Sequence, residues 1–115
     1  MSDKGDAVFL EHILDSIDAI ELFSKNITKN KLESNRLKRS AIVREIEIIG
    51  EAVKNISPNL KKRYKEIEWK AIVGTRDKMI HHYFGVDLNI VWNIIKKDIP
   101  ILKKQIEIIK KELSD

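Results

Sequence analysis

Arg76, Asp77, His81, His82 and Tyr83 crowd into eight positions of one stretch, GTRDKMIHHYFGVD, running from Gly74 to Asp87. These side-chain types suit phosphodiester chemistry. An imidazole with a pKa near ~6.5 takes or gives a proton at neutral pH. A guanidinium presents a planar fork of donors to phosphate oxygens and stabilises the charge that develops on them. An aspartate four positions before a histidine shares its helical ridge and can orient the ring. RNA brings its own nucleophile, the 2′-hydroxyl, so neither a metal nor a protein nucleophile is required. The competing reading is a solvated helix face, with Met79 and Ile80 in the core and Tyr83 packed with its hydroxyl at the rim.

Geometry complicates the first reading. Residues on an ideal helix advance by ~100° each, so Tyr83 returns to nearly the face of Arg76, but Arg76 and His81 diverge by ~140°. One straight helix serves that pair badly. A curled arginine, a loosened helix near His81 or a second chain would each resolve it. His81 and His82 point ~100° apart, a poor arrangement for chelation, and no metal site is expected.

The elements that must position this stretch are helical. Val8, Phe9, Ile13, Ile17, Ile20 and Phe23 recur at spacings of three and four and predict a first helix from about Asp6 to Lys25. The polar stretch NITKNKLES interrupts the pattern, and Ser34 or Asn35 can open a second helix. That helix carries Leu37, Ala41, Ile42, Ile46, Ile49, Val53 and Ile56, and stops at Ser57-Pro58. Ser57 suits an N-cap, with Pro58 opening a short turn of helix through Tyr64. A third main helix is expected from about Trp69 to His82 or Tyr83, stopped by Gly85. Asp87 can cap a fourth, with Leu88, Val91, Trp92 and Ile95 inward, and Pro100 predicts a kink or restart near Asp98. Leu102, Ile106, Ile109 and Leu113 end the chain. The expected fold is all-α, an antiparallel bundle of four to five helices, in a single domain over residues 1–115.

Composition narrows the classes. The 115 residues are 43% hydrophobic and 35% charged, which suits a globular domain. No apolar run approaches the ~18–20 residues that span a bilayer. The N-terminus lacks the pattern of a secretory signal, and there are no cysteines, so a cytoplasmic location is expected. A formal charge of +4 permits nucleic-acid binding without establishing it.

Other features have two readings each. Glu47 and Glu51 share a helix face, where a carboxylate could orient a catalytic histidine or could be solvated beside Arg44 and Lys54. NLKKRYKEIEW sets four basic residues around Tyr64, either as phosphate contacts or as plain solvated surface. Lysine pairs recur every seven residues at 96–97, 103–104 and 110–111, read first as the wet face of the terminal helices and second as an RNA track. Trp69 and Trp92 read as core or as anchors of a dimer interface.

The stretch RDKMIHHY matches the R-x4-H-x-Y motif, and with it the chain resembles the HepT-like branch of the HEPN superfamily. The blocks REIEIIGEAVKNIS upstream and VWNIIKKDIPILKKQI downstream resemble it too. The resemblance implies a toxin of a toxin–antitoxin pair: a small helical bundle, forming a homodimer with both motif copies facing one cleft, that cleaves RNA without metal or other cofactor. It implies Arg76 and His81 as catalytic residues, with Asp77 as a supporting polar group. Tyr83 falls on the tyrosine that an MntA-type nucleotidyltransferase modifies with AMP. Within the same family, the alternative is a catalytically silent module that binds nucleotide or RNA for a partner enzyme.

Overall fold

The computed structural model describes residues 3–80 and 85–114, and it is helical almost throughout. Helix α1 runs Asp3–Ser24, α2 Lys29–Ser34, α3 Arg36–Lys54 and α4 Pro58–Arg63. The short helices α5, Trp69–Val73, and α6, Thr75–Met79, follow, and then α7, Leu88–Asn93. A π-helical turn, Ile94–Asp98, joins α7 to α8, Ile99–Ser114. No described helix is long and apolar enough to cross a membrane.

Contacts between helices fix their directions. Asp6, near the start of α1, accepts hydrogen bonds from Ser57, just beyond the end of α3. These two helices are therefore antiparallel, and they form the most extensive pair in the bundle. Glu11 pairs with Lys110 and Glu21 with Lys103, so α8 runs antiparallel to α1 as well. Between them lies one cluster of buried side chains, including Leu10, Ile13, Ile17 and Ile20 of α1, Ile42, Ile46, Ile49 and Val53 of α3, and Leu102, Ile106 and Ile109 of α8.

The inward stripe of α1 thus includes Leu10 and excludes Val8, which is 52% exposed. Stepping back from Ile13 by three gives Leu10, and Val8 lies far around the helix from that row. The same phase error affects Leu37, which is 83% exposed: the buried row of α3 is Ile42, Ile46, Ile49 and Val53. Within NITKNKLES the structure adds α2, capped by the Thr28 hydroxyl accepting from the Lys31 N–H and anchored by the fully buried Leu32. One buried residue leaves no periodicity to detect.

Local signals set most helix ends. The Asn35 side chain accepts from the Lys38 N–H and opens α3. Ser57 caps α4 ahead of Pro58, and Asp87 caps α7 by accepting from the N–H groups of Asn89 and Ile90. Pro100 acts through the π-helical turn before it. Its ring has no N–H for the carbonyl of Lys96 and crowds that group. The helix widens there, and the Ile99 N–H reaches back five residues to the Ile94 carbonyl.

The third main helix departs most from expectation. It bends at Gly74, where the Thr75 hydroxyl donates to the Ala71 carbonyl at 2.9 Å, the kind of back-bonding that bends helices. It ends at Met79 instead of continuing to His82 or Tyr83. Ile80 is already extended, with φ −108° and ψ 118°. It pairs with Val86 in an isolated antiparallel bridge, and the Asp87 N–H donates to the Met79 carbonyl at 2.6 Å. Met79 is fully buried, so the end of α6 is pinned to the core and to the start of α7. Gly85, with φ +86°, takes a left-handed backbone conformation that glycine adopts without strain.

Candidate functional site

Arg76 sits in the first turn of α6 with its side chain 63% exposed. Its Nε–H donates to Oε2 of Glu47 at 2.9 Å, and Glu47 projects from α3 with only 21% of its side chain exposed. The pair bridges 29 positions of sequence. It exists because α6 packs against α3, and Met79 of α6 and Ile46 of α3 belong to the same buried cluster. Engaging Nε orients the guanidinium plane, and Nη1 and Nη2 make no hydrogen bond or ion pair with any described residue. An anionic oxygen pair is the natural partner for that open edge.

Asp77, next along α6, is exposed and makes no ion pair with any described residue. His81, His82 and Tyr83 lie outside the described residues. The ideal-helix relation between Arg76 and His81 does not apply, because the helix ends before Ile80. The ~140° divergence computed for a straight helix therefore carries no argument for a second chain.

The two glutamates of α3 separate in role. Glu51 pairs with Lys54 one turn on, at 3.4 Å on open surface, while Glu47 turns to Arg76 and not to Arg44 or Lys54. Sequence reasoning placed Glu47 on the right face but did not see its partner. The spacing of Glu47 and Glu51 shows a shared face and says nothing about which helix crosses it.

A groove of about 510 Å³ lies beside α6, bordered by Ile49, Ile72, Thr75, Lys78, Ile90 and Ile101. Arg76 and Asp77 do not line it. Among the described residues, no three His, Asp or Glu side chains lie close enough together to hold a metal ion.

The sequence profile of the family described as "Ribonuclease HepT-like" matches residues 13–109. This chain belongs to the HepT-like ribonuclease family. A Methanocaldococcus jannaschii protein named "Gamma-glutamylcyclotransferase and putative RNase" is 43% identical over 96% of the chain, which spans half of that relative. A Thermococcus cleftensis protein named "Probable ribonuclease HepT" is 42% identical, over 82% of the chain and 86% of the relative. A Caldanaerobacter subterraneus protein named "Putative RNase" is 43% identical, over 82% of the chain and 84% of the relative. No solved structure gives a significant match. The matched residues include both Glu47 and Arg76, whose contact joins α3 to α6.

Proposed function

We propose that this HepT-like protein is an endoribonuclease toxin of a HepT/MntA-type toxin–antitoxin pair. The 2′-hydroxyl of RNA attacks the adjacent phosphorus, the bond to the 5′-oxygen breaks, and the products carry a 2′,3′-cyclic phosphate and a free 5′-hydroxyl. His81 moves the proton, as base toward the 2′-hydroxyl or as acid toward the leaving 5′-oxygen. Arg76 receives the phosphate oxygens on the open edge of its guanidinium. Asp77 supports the site as a polar neighbour. The nucleophile belongs to the substrate, so the reaction runs without metal or other cofactor.

The observation that carries this reading is the membership of the chain in a ribonuclease family, together with an exposed Arg76 that Glu47 engages through Nε. A guanidinium buried in a full set of carboxylates would argue against a phosphate role. We extend the proposal to a cytoplasmic protein of one domain over residues 1–115, acting as a symmetric homodimer, and to Tyr83 as the residue that a partner nucleotidyltransferase modifies with AMP. The test is to incubate purified protein with RNA and analyse the ends. Cyclic phosphate and 5′-hydroxyl ends support the mechanism; 5′-phosphate ends contradict it, and intact RNA contradicts the activity.

A further inference from the structure

Four lysines on the far side of the α4–α5 turn form a feature that the motif does not use. Lys61 and Lys62 end α4, Lys65 lies in the turn, and Lys70 belongs to the first turn of α5. Hydrogen bonds from the Trp69 indole N–H to the Tyr64 carbonyl and from the Ile67 N–H to the same carbonyl fold this turn tightly. The lysines thereby rim a shallow basin whose floor is Ile67 and Trp69, which are 3% and 8% exposed. Glu68 is the one carboxylate on the rim.

What sets the basin lysines apart is clustering: four line one concavity, whereas lysines such as Lys25, Lys29 and Lys104, also without an ion pair to any described residue, stand elsewhere on the surface. Lys54, Lys103 and Lys110 each pair with a glutamate. Lys61, Lys62, Lys65 and Lys70 have no ion pair with any described residue. Four lysines around one concavity with a single carboxylate among its described lining residues make a positive patch that attracts a polyanion. Lys70 on α5 and Arg76 on α6 are six residues apart, so whatever the bend at Gly74 their backbones are separated by at most roughly 20 Å. A strand with one phosphate on Arg76 can therefore reach the basin within a few nucleotides.

We propose that the basin is a secondary binding site for the backbone of single-stranded RNA, gripping the substrate beside the scissile phosphate. Its floor is too deeply buried to stack bases, so it contacts phosphates and is indifferent to sequence. The inference rests on the ribonuclease reading for its substrate, but it is tested by binding alone.

The probe is a 2′-O-methyl RNA of about 12 nucleotides, which lacks the nucleophile and cannot be cleaved. Its affinity is measured across salt concentrations for the parent, for K61Q/K62Q/K65Q/K70Q, and for the control K54Q/K103Q/K110Q. Each phosphate contact contributes about 0.7 to the log–log salt slope on a single strand. Four contacts correspond to roughly a fifty-fold loss of affinity between 50 and 200 mM salt, which the quadruple variant should no longer show. Each single lysine variant should flatten the slope by about 0.7, which guards against a folding defect in the multiple variant. The control should keep the parent's slope.

An unchanged slope in the quadruple variant overturns the basin as an RNA site. Equal flattening in the control overturns it in favour of diffuse charge, and a parent that does not bind the probe overturns it outright. A parent that binds through the basin yet cleaves no unmethylated RNA supports the basin and sinks the ribonuclease reading.

Discussion

The Nε of Arg76 and Oε2 of Glu47 stand 2.9 Å apart, joining α6 to α3 across 29 residues of sequence. The contact is more than half open to water on the arginine side, so it contributes little to stability, less than about 1 kcal/mol. Its consequence is orientational. A long side chain that would otherwise sample many rotamers is held with its outer edge free.

Glu47→Gln keeps the shape of that partner and removes its charge. The expected result is a fall of roughly tenfold to a hundredfold in the turnover of RNA, since misplacing a catalytic group by about 1 Å costs that much. Unfolding midpoints in urea should barely move. Unchanged turnover would mean that Arg76 needs no partner. A large loss of stability would mean that the pair is structural.

Tyr83→Phe is expected to retain most RNA cleavage and to escape silencing by the partner nucleotidyltransferase. AMP on the tyrosine would add an anion and bulk close in sequence to Arg76, in competition with the RNA phosphate. Parent and variant are incubated with that enzyme, ATP and magnesium, and intact mass and residual activity are recorded. A variant that gains AMP and is silenced like the parent refutes the assignment.

Asp6 is a buried carboxylate that accepts from both the backbone N–H of Ser57, at 2.8 Å, and its hydroxyl, at 2.7 Å. It ties the start of α1 to the cap of α4. Asp6→Ala should destabilise the fold by about 1–2 kcal/mol, because it strands two part-buried donors of Ser57. Denaturant unfolding checks this, and a change below a few tenths would show that water replaces the carboxylate without cost.

The phenol of Tyr64 is held above its ordinary value near 10, chiefly by its hydrogen bond to Glu112 and then by burial. The folded state therefore keeps a proton that the unfolded chain releases. This stabilisation is fully present below about pH 10 and is lost as pH rises through the raised value. In alkaline unfolding titrations, Tyr64→Phe should show a shallower decline of stability above pH 10 than the parent. Parallel curves would remove Tyr64 from the account.

What the sequence made legible follows how local each signal is. Ser57-Pro58, Asn35 and Asp87 act on N–H groups within three residues, so those helix starts were readable. The all-α architecture followed from periodicity, although Val8 and Leu37 were assigned inward on rows one step out of phase with the buried ones. The end of α6 was not readable, because Ile80 is drawn out of the helix by Val86 and Asp87, which come later in the chain. The R-x4-H-x-Y spacing singles out Arg76 as a candidate from sequence alone. Its partner Glu47 depends on how α6 crosses α3, and no spacing within either helix encodes that crossing.

The central claim is that Arg76 and His81 cleave RNA without a metal. The most direct measurement is single-turnover cleavage of a labelled RNA in excess chelator by the parent, Arg76→Lys and His81→Ala, each first shown to be folded by circular dichroism. The parent should keep its full rate in chelator. His81→Ala should lose roughly 10²–10⁴ in rate, and Arg76→Lys should remain impaired because a point charge does not replace the planar fork. A parent that stops in chelator and recovers with added metal, or a folded His81→Ala that cleaves at the parent's rate, would contradict the account.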